Sequence, residues 1–168
     1  MAVTEIDRTG SLAFEVNEVI KLTPLNYDLE NLLPHRGDCL LISRIRHFDF
    51  EAGVIITQYD VPNRPWWIDG HFPGMPIMPG FLIAEHGAQS GATFVGLNGI
   101  VGLPYLARAD RLKFEAVVRP GDTLYTKVQI VKWDGKIDKR IWRFNFLVKN
   151  QFSKNVATGL IIGVVRRI

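Results

Sequence analysis

The chain has 168 residues, of which 47% are hydrophobic and 22% charged, a composition typical of one folded domain rather than of a disordered chain. The net charge of +3 comes without a long run of Lys or Arg, which argues against nucleic acid and favours an acidic protein or a phosphate-bearing ligand as partner. A single cysteine, Cys39, excludes an intramolecular disulfide, and residues 1–10 lack the apolar segment of a signal peptide or membrane helix, so we predict a soluble, cytoplasmic protein without a membrane partner.

We predict an N-terminal extension, residues 1–24, that is followed by a single domain, residues 25–168. Apolar residues at 14, 16 and 19–20 are compatible with one strand in the extension. Residues 28–34 begin with Asp and end with Pro, which indicates one or two turns of helix. Residues 40–50 and 52–59 are rich in Leu, Ile, Val and Phe around a Glu-Ala-Gly break, and they predict two antiparallel strands.

The middle of the chain predicts a loop followed by one long helix. Residues 63–80 hold four prolines and three glycines among large apolar residues, so they form a loop that is buried or lines a pocket. Residues 81–97 contain no proline and many small side chains, which predicts a helix that other backbone approaches closely.

Four more strands are predicted at 105–116, 123–133, 140–149 and 156–166, because each segment is rich in β-forming residues and the segments between them are turn-like. The fold class is therefore α+β, with an antiparallel sheet of about six strands wrapped around one central helix.

Chemistry concentrates where the loop meets the helix. Prolines stiffen the loop that presents His71, and Pro79 and Gly80 begin a helix whose first amides have no intrahelical partner and could bind an oxyanion. Glu85 lies a turn and a half into an apolar helix, where a carboxylate is costly unless it is paired or functional. Gln89, one turn further on, could orient it. Taken singly, a His in a loop and a Glu in a helix are more often structural than catalytic.

The assembled motifs resemble the hot-dog-fold 3-hydroxyacyl-[acyl-carrier-protein] dehydratases of the FabZ type and, more distantly, of the FabA type. The resemblance spans roughly residues 27–168. Its motifs are Leu32-Leu33-Pro34-His35-Arg36, Leu40-Leu41-Ile42, Gly70-His71-Phe72-Pro73-Gly74, Ile77-Met78-Pro79-Gly80, Glu85 with Ala88-Gln89, Lys113-Phe114 and Pro120-Gly121-Asp122.

The resemblance implies that His71 removes the α-proton of the substrate and that Glu85 protonates the departing β-hydroxyl. It implies that the Gly80 amide polarises the thioester carbonyl and that Gln89 supports the acid, and it places Phe72 and Pro79 in the substrate-binding site. Glu rather than Asp at position 85 implies dehydration without isomerisation of the double bond.

The family also implies the partners: a phosphopantetheine-linked substrate on an acyl carrier protein, and a second copy of the chain. Each site in the family lies at a dimer interface, with the His from one subunit and the acid from the other, and a trimer of dimers is a further expectation. We predict no cofactor, and no metal site, because His35 and His47 lack ligand spacing with the other histidines.

Several questions stay open at this point. Gly37-Asp38, Ser43 and the Glu85-His86-Gly87 triplet depart from the family pattern, so the pathway, primary fatty-acid synthesis or a specialised lipid or polyketide, is undecided. His86 either perturbs the neighbouring acid or points elsewhere; we favour the second. The basic residues Arg108, Arg111, Lys113 and Arg119 form either a carrier-docking cluster or a solvated strand face.

A second basic region, residues 127–143, competes for the docking role.

Two other functions are compatible with the fold. A thioesterase would use the acid at position 85 to activate water, and would leave His71 without a clear task. A non-catalytic acyl sensor would need an attached partner domain, and residues 1–30 show no helix-turn-helix.

Overall fold

Six strands form one antiparallel sheet against which a single long helix packs, and the computed structural model describes residues 12–100, 102–131 and 141–166. The strands lie in the order β1-β2-β4-β5-β6-β3. They are β1 (Arg44–Asp49), β2 (Val54–Asp60), β3 (Leu103–Phe114), β4 (Thr123–Ile130), β5 (Ile141–Asn150) and β6 (Asn155–Arg166). The helices are α1 (Val16–Lys21), α2 (Leu29–Leu32) and α3 (Gly80–Leu97). The α+β hot-dog architecture predicted from the sequence is confirmed.

The strands lie where the sequence predicted them, and their ends differ from the prediction by up to four residues. Residues 40–43 are not part of β1, because they run beside α3, where the Leu41 N–H donates to Gln89 Oε1 at 2.8 Å. The ends of two predicted strands, at residues 132–133 and 140, lie outside the described residues.

The segment before residue 24 contains a helix, so the strand expected there is wrong. Val16 and Val19 of α1 are three residues apart and share one face, which packs on Ile56, Tyr125 and Leu147 of the sheet. This contact covers the sheet face opposite α3, and it explains why six consecutive residues of β2 are buried. The boundary at residue 24 between extension and domain stays a prediction.

Two lysines of the sheet also hold this N-terminal segment. Lys127 Nζ donates to Ala13 O at 3.2 Å, and Lys149 Nζ donates to Phe14 O at 2.6 Å. The side chain of Lys127 is fully buried, so part of the second basic region serves packing rather than docking. Four further members of that region, residues 132, 136, 139 and 140, lie outside the described residues.

Small residues in α3 make room for aromatic rings rather than mainly for backbone. A Cβ at Gly87 would lie 2.9 Å from the Phe146 ring, and one at Gly91 would lie 2.3 Å from the Phe144 ring. Only at Gly96, where a Cβ would meet Leu32 O at 2.9 Å, is backbone the neighbour. The predicted close approach of other backbone is therefore wrong at Gly87 and Gly91, where side chains of β5 fill the space, and is confirmed at Gly96.

A buried polar network fixes α3 to β2 and β4. Ser90 Oγ donates its one hydrogen to His86 O at 2.7 Å. In the contact between Thr57 Oγ1 and Ser90 Oγ, also 2.7 Å long, Thr57 must therefore be the donor. Thr57 then accepts from His86 Nε2–H at 3.2 Å, and Thr126 donates to the unprotonated Nδ1 at 3.1 Å. His86 is therefore neutral and points into the core, as the favoured alternative predicted.

Candidate active site

The loop that carries His71 fixes the tautomer of its imidazole ring. Its backbone N–H donates to Trp67 O at 3.0 Å, and Ile77 N–H donates to His71 O at 2.7 Å. The ring atom Nδ1 lies 2.7 Å from Ile77 O, which can only accept, so Nδ1 carries the hydrogen. Nε2 then keeps its lone pair and is the atom that can take a proton.

Phe72 fixes the orientation of the same ring. The Phe72 and His71 rings stack with centroids 4.2 Å apart and planes inclined by 24°, and the peptide bond between the two residues is cis. Phe72 is itself half exposed, at 51%. The imidazole is thus covered on one face while the loop remains at the surface.

Gln89 holds the Glu85 carboxyl. The Gln89 side chain is buried; its Oε1 accepts from Leu41 N–H, and its Nε2 donates to Cys39 O at 2.8 Å and to Glu85 Oε1 at 3.0 Å. Both amide hydrogens are therefore used, and the amide cannot turn over without losing these bonds. Glu85 is consequently fixed through Oε1, which leaves Oε2 available for proton transfer.

His35 is a neighbour of Glu85 to which the sequence analysis gave no role. Its Nε2 lies 3.5 Å from Glu85 Oε1. Burial lowers the pKa of His35, while the nearby Glu85 carboxylate opposes that shift. The signal that could have identified it was the Leu33-Pro34-His35-Arg36 motif, which contributes to the family resemblance, but His35 itself was considered only as a metal ligand.

The start of α3 is where the sequence predicted an oxyanion site. Pro79 is the N-cap residue and Gly80 the first helical residue, so the Gly80 N–H has no partner within the helix. A Cβ at Gly80 would lie 3.3 Å from the Phe114 ring. The glycine thus permits close packing against β3, in addition to any role in admitting a carbonyl oxygen.

An apolar cavity opens beside Glu85 and Gln89. It encloses about 440 Å³ including its mouth, and it lies between α3 and strands β3, β5 and β6. Ala88, Ala92 and Val95 continue its wall along α3, and from Glu85 to Val95 it follows the helix for about 15 Å. Tyr105, Leu106, Trp142, Phe144, Ile161 and Gly163 are among the residues that form the opposite wall.

The cavity brings together only part of the predicted site. Glu85 and Gln89 line it, whereas His71, Phe72, Pro79 and Gly80 are not among its lining residues within the described chain. The four belong instead to the loop and the first turn that precede Glu85 on α3.

The predicted basic cluster does not form one set of unpaired cations. Arg108 Nε pairs with Asp110 at 2.8 Å, and Lys113 Nζ lies 3.4 Å from Glu115. Arg111, at a φ of 51°, sits at an irregularity in β3. Arg119 is exposed in the turn before β4, next to the loop after β2, where Val61 N–H donates to Asp122 O at 2.9 Å.

Within residues 12–100, 102–131 and 141–166, no three His, Cys, Asp or Glu residues are grouped as metal ligands. None of the helices in these ranges is both long and apolar enough to cross a membrane.

Comparisons with known proteins agree with this geometry. Residues 33–155 match the FabA-like domain. A protein from Protochlamydia amoebophila, "3-hydroxyacyl-[acyl-carrier-protein] dehydratase FabZ", is 36% identical over 125 residues, which are 74% of this chain and 75% of that protein. A Moorella thermoacetica protein of the same name is 39% identical over 114 residues, 66% and 78% of the two chains. The dehydratase heterocomplex ApeI:P from Xenorhabdus doucetiae has the same fold, with a TM-score of 0.70 at 13% identity over 85% of this chain and 93% of that one.

Proposed function

The chain belongs to the FabA-like family, and we propose on that basis that it is a hydro-lyase that converts a (3R)-3-hydroxyacyl-[acyl-carrier-protein] thioester to the trans-2-enoyl thioester. The observation that carries the proposal is the state of the Glu85 carboxyl: Gln89 holds one of its oxygens, the other is not held by Gln89, and Glu85 lines an apolar cavity. A carboxyl fixed in this way can deliver a proton to one defined position.

The two catalytic residues divide the proton transfers between them. His71 Nε2 takes the α-proton, and the electrons of that C–H bond form the new double bond. The β C–O bond breaks, and Glu85 gives its proton to the departing oxygen, which leaves as water. The Gly80 N–H, at the N-terminus of α3, stabilises the negative charge that develops on the thioester oxygen. Because the acid is Glu, we expect dehydration without isomerisation.

A second copy of the chain completes the site in this proposal. β3 is a strand of 12 residues at the edge of the sheet, and among residues 12–100, 102–131 and 141–166 it pairs with β6 alone. Tyr105, Leu106 and Phe114 on this strand are exposed among its charged residues, and an edge strand with exposed apolar side chains favours pairing with another strand. At the opposite edge, Leu25 already bridges to Ile45. Two chains joined along β3 would bring His71 of one to Glu85 of the other, and a trimer of such dimers stays a prediction.

The cavity and the surface beside it suit an acyl chain and its carrier. The acyl tail would lie along α3 past Ala88 and Ala92, because apolar walls remove the surface of an apolar chain from water. Arg119 is the member of the predicted basic cluster that we assign to an acidic carrier or the phosphate of its arm, because it is exposed and the adjoining loop after β2 carries a second exposed cation, Arg64. For a protein that acts on this substrate we propose a cytoplasmic location, with which its single cysteine is compatible.

The assay must separate dehydration from thioester hydrolysis. The purified protein is incubated with 3-hydroxyacyl thioesters of graded length, and the enoyl product and the free thiol are measured in the same sample. We expect enoyl product without thiol, with turnover lowered about 10²–10⁴-fold in His71→Ala and in Glu85→Gln. Thiol without enoyl product would identify a thioesterase, and neither product, with retained acyl binding, a non-catalytic acyl-binding module.

A further inference from the structure

The segment that carries His35 is held rigidly against the mouth of the cavity. The Arg36 guanidinium donates to the carbonyl oxygens of Leu33 and His35 at 2.7 Å and to that of Glu30 at 2.8 Å, and it pairs with the Glu30 carboxylate at 3.0 Å. The Arg36 charge therefore points back along its own segment. His35, whose side chain is mostly buried, faces Glu85.

The protonation of the His35 ring follows from its two nitrogen atoms. Nδ1 is buried and has no hydrogen-bond partner among the described residues, whereas Nε2 faces the Glu85 carboxyl at 3.5 Å. A buried N–H without an acceptor is rarer in proteins than an unused lone pair, so Nδ1 carries the lone pair and Nε2 the hydrogen. Burial lowers the pKa of His35, so the ring is neutral at pH 7.

Two N–H groups therefore face the same oxygen of Glu85. Gln89 Nε2 donates to Oε1 at 3.0 Å, and the His35 Nε2–H lies 3.5 Å from the same oxygen, a distance that a small ring movement would shorten to a hydrogen bond. An oxygen that accepts from two donors cannot also carry the acid proton at low cost, so the proton is directed to Oε2. The same two donors stabilise the carboxylate that remains once the proton has left.

We propose that His35 is a positioning residue for Glu85, which selects Oε2 as the proton-bearing oxygen and stabilises the carboxylate formed when that proton passes to the departing hydroxyl. The catalytic meaning of this role rests on the proposed dehydratase function, whereas the contact itself does not. The titratable or charged groups that bear on the pair are Arg36, turned away by Glu30, and Tyr105, which lines the same cavity from β3.

Three substitutions separate the two nitrogen atoms of the ring. His35→Gln places an amide N–H near the position of Nε2, His35→Asn places one near Nδ1, and His35→Phe keeps the ring shape without a donor. The ionisation midpoint of Glu85 is followed in each substrate-free variant by carbon NMR with ¹³C-labelled glutamate, and the Glu85 signal is assigned by its loss in Glu85→Gln. Steady-state dehydration gives kcat and KM.

We expect His35→Phe and His35→Asn to raise the Glu85 midpoint measurably and to lower kcat about tenfold with little change in KM. His35→Gln should recover most of both losses. An unchanged Glu85 midpoint in the Phe and Asn variants would overturn the proposal, as would equal losses in all three variants. Because the NMR titration needs no turnover, it still tests the His35–Glu85 contact if the protein is not a dehydratase, and the Asn variant carries the test if the Phe variant does not fold.

Discussion

Replacing His86 by Leu should remove a specific part of the pH dependence of folding. His86 is fully buried, and burial lowers its pKa to about 3 from an ordinary value near 6.5. The unfolded chain therefore binds a proton on this residue between pH 6.5 and 3 that the folded chain does not. Because the unfolded state binds more protons in this window, His86 makes the protein less stable as the pH falls below 6.5, and contributes no such slope above it.

The size of the effect follows from the same shift. A difference of one bound proton changes the free energy of unfolding by about 1.4 kcal/mol per pH unit, so lowering the pH from 6.5 to 5 costs about 2 kcal/mol through His86. His86→Leu removes this contribution, although it also leaves the buried Thr126 hydroxyl without its acceptor, at a cost of about 1–3 kcal/mol at any pH.

The assay is urea unfolding at a fixed protein concentration and ionic strength, from pH 5 to 7.5, for the wild type and for His86→Leu. The variant should be less stable at pH 7 but should lose about 2 kcal/mol less than the wild type on acidification to pH 5. His47→Leu is the matched control; burial also lowers the pKa of His47, but this ring is only half buried, so its substitution should change the slope less. Identical slopes for the wild type and His86→Leu would refute the reasoning.

Three further outcomes test the shared site, the acyl cavity and the docking surface. His71→Ala and Glu85→Gln chains with different tags are co-expressed, and the doubly tagged dimer should have about half of wild-type activity, because one of its two interface sites carries neither change. A doubly tagged dimer as inactive as its parents would contradict the shared site. Ala92→Leu should lower kcat/KM about tenfold or more for long acyl chains and spare short ones, and equal losses would remove the cavity as the acyl site. Arg119→Glu should slow reaction with carrier-bound substrate but not with a short pantetheine thioester, with a difference that shrinks in added salt; the same change at Lys21, an exposed residue of α1 already paired with Glu18, is the control.

Strands and the long helix could be predicted from the sequence because their signals are local. Turn residues separate the β-rich segments, and a proline-free run of 17 residues follows Gly80. The segment around Val16 could not be assigned in the same way. Phe14 and Val16 have the spacing of a strand, Val16 and Val19 that of a helix, and six residues are too few for either period to decide. The packing of this segment against Ile56 and Leu147 determines that it is a helix, and the local sequence does not reveal that contact.

The same difference between local and distant signals applies to the candidate site. His71, Glu85 and Gln89 lie in motifs close together in the sequence, so the resemblance identified them. The contacts that give them their properties are distant in sequence: Gln89 is held by Cys39 and Leu41, 50 and 48 residues away. His35 was overlooked for the same reason, since its relation to Glu85 exists only once α2 and α3 are packed together.

The polar residues of α3 show how structural and catalytic groups differ on one helix. His86 and Ser90 form one pair four residues apart, and Glu85 and Gln89 form another on the neighbouring face. Every polar side-chain atom of the first pair has a partner from β2, β4 or the helix itself, so this pair can only fix the position of the helix. In the second pair the amide is fully used and the carboxyl is held by one oxygen, at an open cavity. A polar group that the fold fixes in place without satisfying completely is able to react with a ligand, and α3 presents one such group, at Glu85.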